Sequence, residues 1–197
     1  LGQPAAYKLT PLLSSRDENT RNWSGSLLEH LYSWRNATEK SVDSMPSQAI
    51  LAAARNSLLN TTESKENRSL SIKLMGYSSQ GDQASVSTLA DFLQRDRERD
   101  VRLACVIALL DIARRTDDRQ ARQCVKAVGD ALQSDINEEV RNTAAFLLSM
   151  NCTAERKSQY KDETIAALRK GMADSSTRVR SHCVMGLRQL TGDDSIE

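Results

Sequence analysis

The sequence is poor both in residues that break helices and in those that build sheets. Only three prolines occur, Pro4, Pro11 and Pro46, so the 151 residues after Pro46 contain no proline to interrupt a helix. Aromatic residues make up 4% of the chain, while alanine, leucine, glutamine, glutamate and arginine are plentiful, which suits close-packed helices rather than sheets. No apolar run approaches the roughly 18 residues of a membrane span, so no membrane partner is expected. Charge of one sign is also lacking. With 27 Lys and Arg against 26 Asp and Glu, the net charge of +1 demands neither nucleic acid nor an anionic surface. The chain opens at Leu1 with no charged-then-apolar leader, which leaves open a processed or excised form and an absent export signal. Its 197 residues suffice for one or two domains with a sizeable core.

What is present is a repeat. Asp96, Asp135 and Asp174 are each followed five residues later by a Val-Arg pair: Val101-Arg102, Val140-Arg141 and Val179-Arg180. Successive pairs lie 39 residues apart, and a fixed period in this range, with two helical patterns per unit, marks an α-solenoid. From residue 81 on, one helix of each unit carries an apolar stripe (Val86, Leu89, Phe92 and Leu93 in the first). Its partner starts at the Val-Arg pair and carries apolar residues at Val plus 4 and plus 8, the pattern of a helix buried along one side. Upstream, Pro46-Ser47 opens a helix with Ile50, Leu51, Ala54, Leu58 and Leu59 inward. A second runs from about Ser64, with Asn67-Arg68 where later units have Val-Arg, so residues 47–80 read as a degenerate unit. The array divides at about 47–80, 81–115, 116–153 and 158–192. Residues 1–46 read as an N-terminal helical segment or a further degenerate repeat. In it a short helix within Ala5 to Leu13 is interrupted by Pro11, and Ser24 or Ser26 caps a helix carrying Leu27, Leu28, Leu31, Tyr32 and Trp34.

The recurring charges have a structural reading. An aspartate in the turn before the second helix can accept its exposed N–H groups and oppose its positive end. The arginine on the first turn of that helix can reach a carboxylate of its own or the neighbouring repeat, where its planar fork holds two oxygens at once. Stacked repeats then align a ladder of Asp96, Arg102, Asp135, Arg141, Asp174 and Arg180.

On these residues, Asp-x4-Val-Arg followed by an Ala/Leu-rich helix three times over, the chain resembles the HEAT-repeat (armadillo-like) family. The resemblance covers residues 81–197 well, 47–78 loosely and 1–40 hardly at all. It implies an all-α, right-handed α-α superhelix of four to five helix pairs, with second helices on the concave side. It also implies a non-enzymatic scaffold or adaptor that binds a protein or peptide. The alternatives are a nucleic-acid-binding module and a repeat subunit of an enzyme or lyase.

Motifs for chemistry are sparse. The two histidines, His30 and His182, lack the paired acidic partners of a metal site, and no phosphate loop, nucleophile elbow or Cys-x-x-Cys occurs, so neither cofactor nor metal nor small-molecule substrate is expected. Cys105, Cys124, Cys152 and Cys183 could form two disulfides or remain thiols. Cys105 and Cys183 hold equivalent positions, at least one repeat translation (roughly 10 Å) apart, beyond the ~7 Å Cα limit for bridging, so buried thiols are favoured. Arg95, Arg97, Arg99, Arg114, Arg115, Arg119 and Arg122 are interleaved with Asp96, Glu98, Asp100, Asp111, Asp117 and Asp118, a compensated surface that makes nucleic acid the weaker partner. Five N-x-Ser/Thr sequons, at Asn22, Asn36, Asn60, Asn67 and Asn151, would be acceptors on a secretory route. Free thiols and helical placement favour coincidence and a cytoplasmic location.

Helix geometry then locates a binding face. At about 100° per residue, positions plus 2 and plus 9 from the valine fall opposite the buried stripe. These are Leu103 and Leu110, Asn142 and Ser149, and Ser181 and Arg188, with plus 6 adding Ile107, Phe146 and Met185. An apolar strip of Leu103, Ile107, Leu110, Phe146 and Met185 suits a helix or peptide. Phe146 and Met185 are readily assigned to packing between neighbouring helices, which leaves Leu103 and Leu110 as the sharper candidates.

Overall fold

The computed structural model describes residues 2–37, 47–60, 62–79, 82–116, 118–150 and 160–197. Asp117, Asn151, Cys152 and the side chains of Trp34, Asn36 and Asp118 lie outside the described residues. Among those described, every regular element is helical. The chain forms two compact units, Leu1–Ser79 and Gln80–Glu197.

In the first unit α1 (Gly2–Leu9) gives way at Pro11 to a 3-10 turn (Thr10–Ser14), followed by α2 (Glu18–Ala37), α3 (Ser47–Leu59) and α4 (Lys65–Ser78). The start of α2 differs from the expected Ser24 or Ser26. Asp17 accepts the backbone N–H of Thr20 at 2.8 Å and caps the helix about two turns earlier. Ser24 instead sits buried inside the helix, its hydroxyl donating to the Arg21 carbonyl at 3.0 Å. Ser64 caps α4 as expected, accepting from the Asn67 N–H at 3.4 Å. Leu28, Tyr32, Ile50, Leu74 and Met75 are buried in this unit, where α4 packs against both α2 and α3. Tyr32 stacks on Tyr77 with ring centroids 5.7 Å apart and accepts a hydrogen bond from Ser78, which satisfies its buried hydroxyl.

The second unit contains α5 (Gln83–Arg95), α6 (Arg99–Ala113), α7 (Asp118–Ser134), α8 (Glu138–Met150), α9 (Lys161–Gly171) and α10 (Thr177–Thr191). They pair as α5–α6, α7–α8 and α9–α10, and each helix also packs on its counterpart in the next pair. First helices α5, α7 and α9 thus form one layer and second helices α6, α8 and α10 the other, the stacking of a solenoid. The repeated valines, Val101, Val140 and Val179, are completely buried. Each contributes about 1.5–3 kcal/mol by removal from water. Asp82 caps α5 through the Ser85 N–H at 3.0 Å, and Gly192 closes α10 in the left-handed conformation (φ 73°) that glycine adopts without strain. Cys105, Cys124 and Cys183 are free and buried. Asn67 is buried as well, with its amide donating to Glu63, while Asn60 is exposed beyond α3.

Candidate functional site

The charged residues of the repeat form the joint between pairs. Arg102 on α6 donates from Nε and Nη2 to the two carboxylate oxygens of Asp135 at 2.7 and 3.0 Å. Its Nη1 donates to the Asp96 and Arg97 carbonyls at 2.9 and 3.3 Å, so one guanidinium fixes its own turn and grips the next. Arg141 repeats this with Asp174 at 2.7 and 3.1 Å and with the carbonyls of Asp135 and Ile136. Arg180 makes the same backbone contacts, to Asp174 and Ser175, at the last turn. The pairing therefore runs between repeats. Hydrogen bonding to Asp135 holds Arg102 above its ordinary value against the opposing effect of burial, and Arg141 holds Asp174 below the usual carboxylate range.

The aspartates act differently from helix caps. Asp96, Asp135 and Asp174 each accept the N–H two residues on, from Glu98, Asn137 and Ser176, all at 2.8 Å. Those residues precede the helices, so the carboxylates fold the turn rather than cap the second helix. The cap of α8 is Asn137, which accepts from the Glu139 N–H at 2.9 Å.

The first unit holds a rung with altered chemistry. Arg21 donates from Nε and Nη2 to Glu63 at 3.0 and 2.9 Å, and from Nη1 to the Ser15 and Arg16 carbonyls at 2.8 and 3.1 Å. These are the same six-back and five-back carbonyls that Arg102 uses. Burial pushes the Glu63 carboxyl up, but hydrogen bonds from Arg21 and Asn67 outweigh it and leave it below the usual value.

The exposed face of the second helices is displaced from the one that helix geometry predicts. Leu110 is 1% exposed and Ser149 0%, so the plus-9 residues of α6 and α8 contribute no accessible surface. A Cβ placed on Gly186 of α10 would lie 2.7 Å from the Ser149 Cβ, so plus 7 of one second helix packs onto plus 9 of the previous one. A solenoid's second helix is covered from two directions, by its own partner and by its neighbours, and the free arc shifts toward plus 6. There Ile107, Phe146 and Met185 are 44%, 40% and 42% exposed, one on each of three adjacent helices. Leu103 and Asn142 are half-buried beside them, and Ser181 and Arg188 are exposed. The Oδ1 of Asn142 is buried and makes no hydrogen bond. Phe146 meets the edge of His182 with centroids 5.1 Å apart, and burial, aided by Arg178, keeps that histidine below its ordinary value.

Two exposed residues at this face, Met150 and Arg178, belong to no column that the sequence reading singled out. They sit at plus 10 and minus 1, which the 100° wheel places beside plus 6, so the signal was available once plus 6 is taken as the centre. In the first unit Leu12, Trp23 and Leu27 are also exposed around a shallow groove of about 250 Å³. Counting from Thr20, which precedes Arg21 as the valines precede the later arginines, Trp23 and Leu27 hold the plus-3 and plus-7 positions, the ones by which α10 meets α8.

The sequence matches no protein-family model and no curated protein. Solved structures do resemble it. A designed armadillo repeat protein in complex with the peptide (KR)4 has a TM-score of 0.62 at 16% identity, over 92% of this chain and 80% of that one. Two engineered proteins give TM-scores of 0.58 at 17% identity (93% of this chain, 47% of that one) and 0.54 at 15% (95% and 99%). At such identities the likeness concerns the fold alone. The chain has an all-helical, armadillo-like repeat fold.

Proposed function

We propose that this protein is a non-enzymatic scaffold of HEAT-type helix pairs that binds a protein or peptide on the second-helix face of its second unit. The observation that carries this reading is the column Ile107, Phe146 and Met185, three large apolar side chains each about two-fifths exposed on adjacent helices. Exposed apolar residues aligned over several elements are the mark of a docking face, and isolated ones are not. The described thiols do not compete for a catalytic role, because burial raises Cys105 well above its ordinary value and Cys124 and Cys183 to about 12, leaving these three protonated at neutral pH. The similarity to a designed protein that holds a peptide agrees with the reading.

The nucleic-acid alternative needs free arginines near the turns. Arg95, Arg97, Arg99, Arg114 and Arg122 each lie within ion-pair distance of a carboxylate. The test is co-purification with Phe146→Asp plus Met185→Asp against wild type, at low and moderate salt, with circular dichroism to confirm folding. A partner retained by wild type through the salt step and lost from the folded variant is the expected result. Partners bound equally by both proteins, or lost steeply with salt, would overturn the reading.

A further inference from the structure

We propose that the joint of the first unit binds a single buried water molecule, held by Asn67 together with Arg21 and the serines Ser57 and Ser71. The inference concerns a different part of the chain from the docking face and does not depend on it.

The apolar residues that close each later joint are replaced here by polar ones. Asn67 stands in the place of Val101, Val140 and Val179, and four residues on Ser71 stands in the place of Cys105, Ala144 and Cys183. Both are nonetheless buried, at 2% and 6% exposure. Polar groups in a core are costly unless each finds a hydrogen-bond partner. The Asn67 amide nitrogen has one, donating to Glu63 Oε1 at 2.9 Å. An ionised carboxylate can only accept, so this bond fixes which end of the amide faces Glu63 and turns the oxygen away. That oxygen, Oδ1, is buried and meets no donor among the described residues.

Beside it lies a cavity rather than a packed core. Asn67, Ser71, Arg21 and Ser57 line it together with the apolar Leu70 and Leu74, and its volume of about 10 Å³ matches the lower limit for one water molecule, roughly 10–15 Å³. Larger ligands are excluded by size, and the guanidinium on the wall disfavours a small cation. Apolar cavities stay dry, whereas a polar one with two to four partners holds its water. The partners are complementary. Arg21 commits Nε and one N–H of Nη2 to Glu63, and Nη1 to the Ser15 and Arg16 carbonyls. Of its five N–H groups, one on Nη2 remains. A water accepting from that group and donating to Asn67 Oδ1 and to a serine hydroxyl makes three bonds, the usual number for an internal water. The first joint is thus closed by a hydrogen-bonded solvent molecule where the later joints are closed by a valine.

The experiment is a high-resolution crystal structure of the whole chain, with the same for Asn67→Val, each checked for folding by circular dichroism. The expected result is a density peak within about 3.2 Å of Asn67 Oδ1 in wild type, lost from the valine variant. Should Asn67→Val not fold, Ser71→Cys serves in its place, because it keeps the bond to Glu63 while a weakly bonding, larger sulfur takes up the cavity. In solution, oxygen-17 magnetic relaxation dispersion should count fewer long-lived waters in the variant than in wild type. A wild-type cavity without the peak, a peak that survives the substitution, or an equal count of long-lived waters would overturn the inference.

Discussion

Removing Asp135 separates the ionic joint from a simple turn cap. The carboxylate side chain is 4% exposed and its partner Arg102 is 10% exposed, joined by two hydrogen bonds of 2.7 and 3.0 Å. Deleting one member of such a pair leaves the other charge buried, which typically costs about 3–5 kcal/mol. Arg102 keeps the Asp96 and Arg97 carbonyls, so the lower end, about 3 kcal/mol, is expected. A role confined to accepting the Asn137 N–H would cost only about 1 kcal/mol. Asp135→Asn sharpens the distinction, because it retains an acceptor for the turn and loses the charge. Urea unfolding of wild type, Asp135→Ala, Asp135→Asn and Arg102→Met, followed by far-ultraviolet circular dichroism, gives the four stabilities. The asparagine variant should fall close to the alanine one. The double variant Asp135→Ala plus Arg102→Met should lose less than the sum of its parts, because no stranded charge remains. A cost near 1 kcal/mol for Asp135→Ala, together with additive single effects, would refute the ionic-joint account.

The Asp174 carboxyl is held below its ordinary 3.8 chiefly by Arg141, so its stabilisation is complete above that value and disappears as pH falls through the lower folded one. Urea midpoints of wild type and Asp174→Asn should therefore converge as the pH is lowered below 3.8, and a gap that stays constant on acidification would contradict the assignment. At Gly186 two effects oppose each other in an alanine variant, since helix propensity favours alanine by about 1 kcal/mol. The added Cβ would lie 2.7 Å from the Ser149 Cβ and 3.0 Å from its Cα, and backbone cannot rotate away. Overpacking of about 1–3 kcal/mol should win and lower the thermal midpoint, whereas a raised midpoint would show that α8 and α10 separate freely.

The 39-residue period made the second unit legible because three turns kept Asp, Val and Arg together. The first unit hid the same joint through four substitutions. Counting back from Arg21, Thr20 stands in the valine place and Ser15 in the aspartate place. The carboxylate facing Arg21 comes from Glu63, five residues before Arg68 where the later units place aspartate six before; the longer glutamate side chain spans the difference. Asn67 in the valine position is tolerated because its amide donates to the same carboxylate at 2.9 Å. The exposed arc of the second helices departs from the helical wheel for another reason. A helical wheel supposes a helix with one buried side, and Leu110 and Ser149 lie on a second side that only the stacking of neighbours creates. Leu103 is half-buried, while the more exposed Phe146 and Met185 occupy positions that read as packing residues.

The contact of Gly186 with Ser149 has a consequence for pitch. Two small residues let α10 approach α8 closely, while the equivalent positions between α8 and α6 are Leu147 and Leu110, whose bulk sets a wider spacing. One pair of small residues thus makes the joint between the last two helix pairs unlike the joint before it, although the sequence that encodes both is periodic.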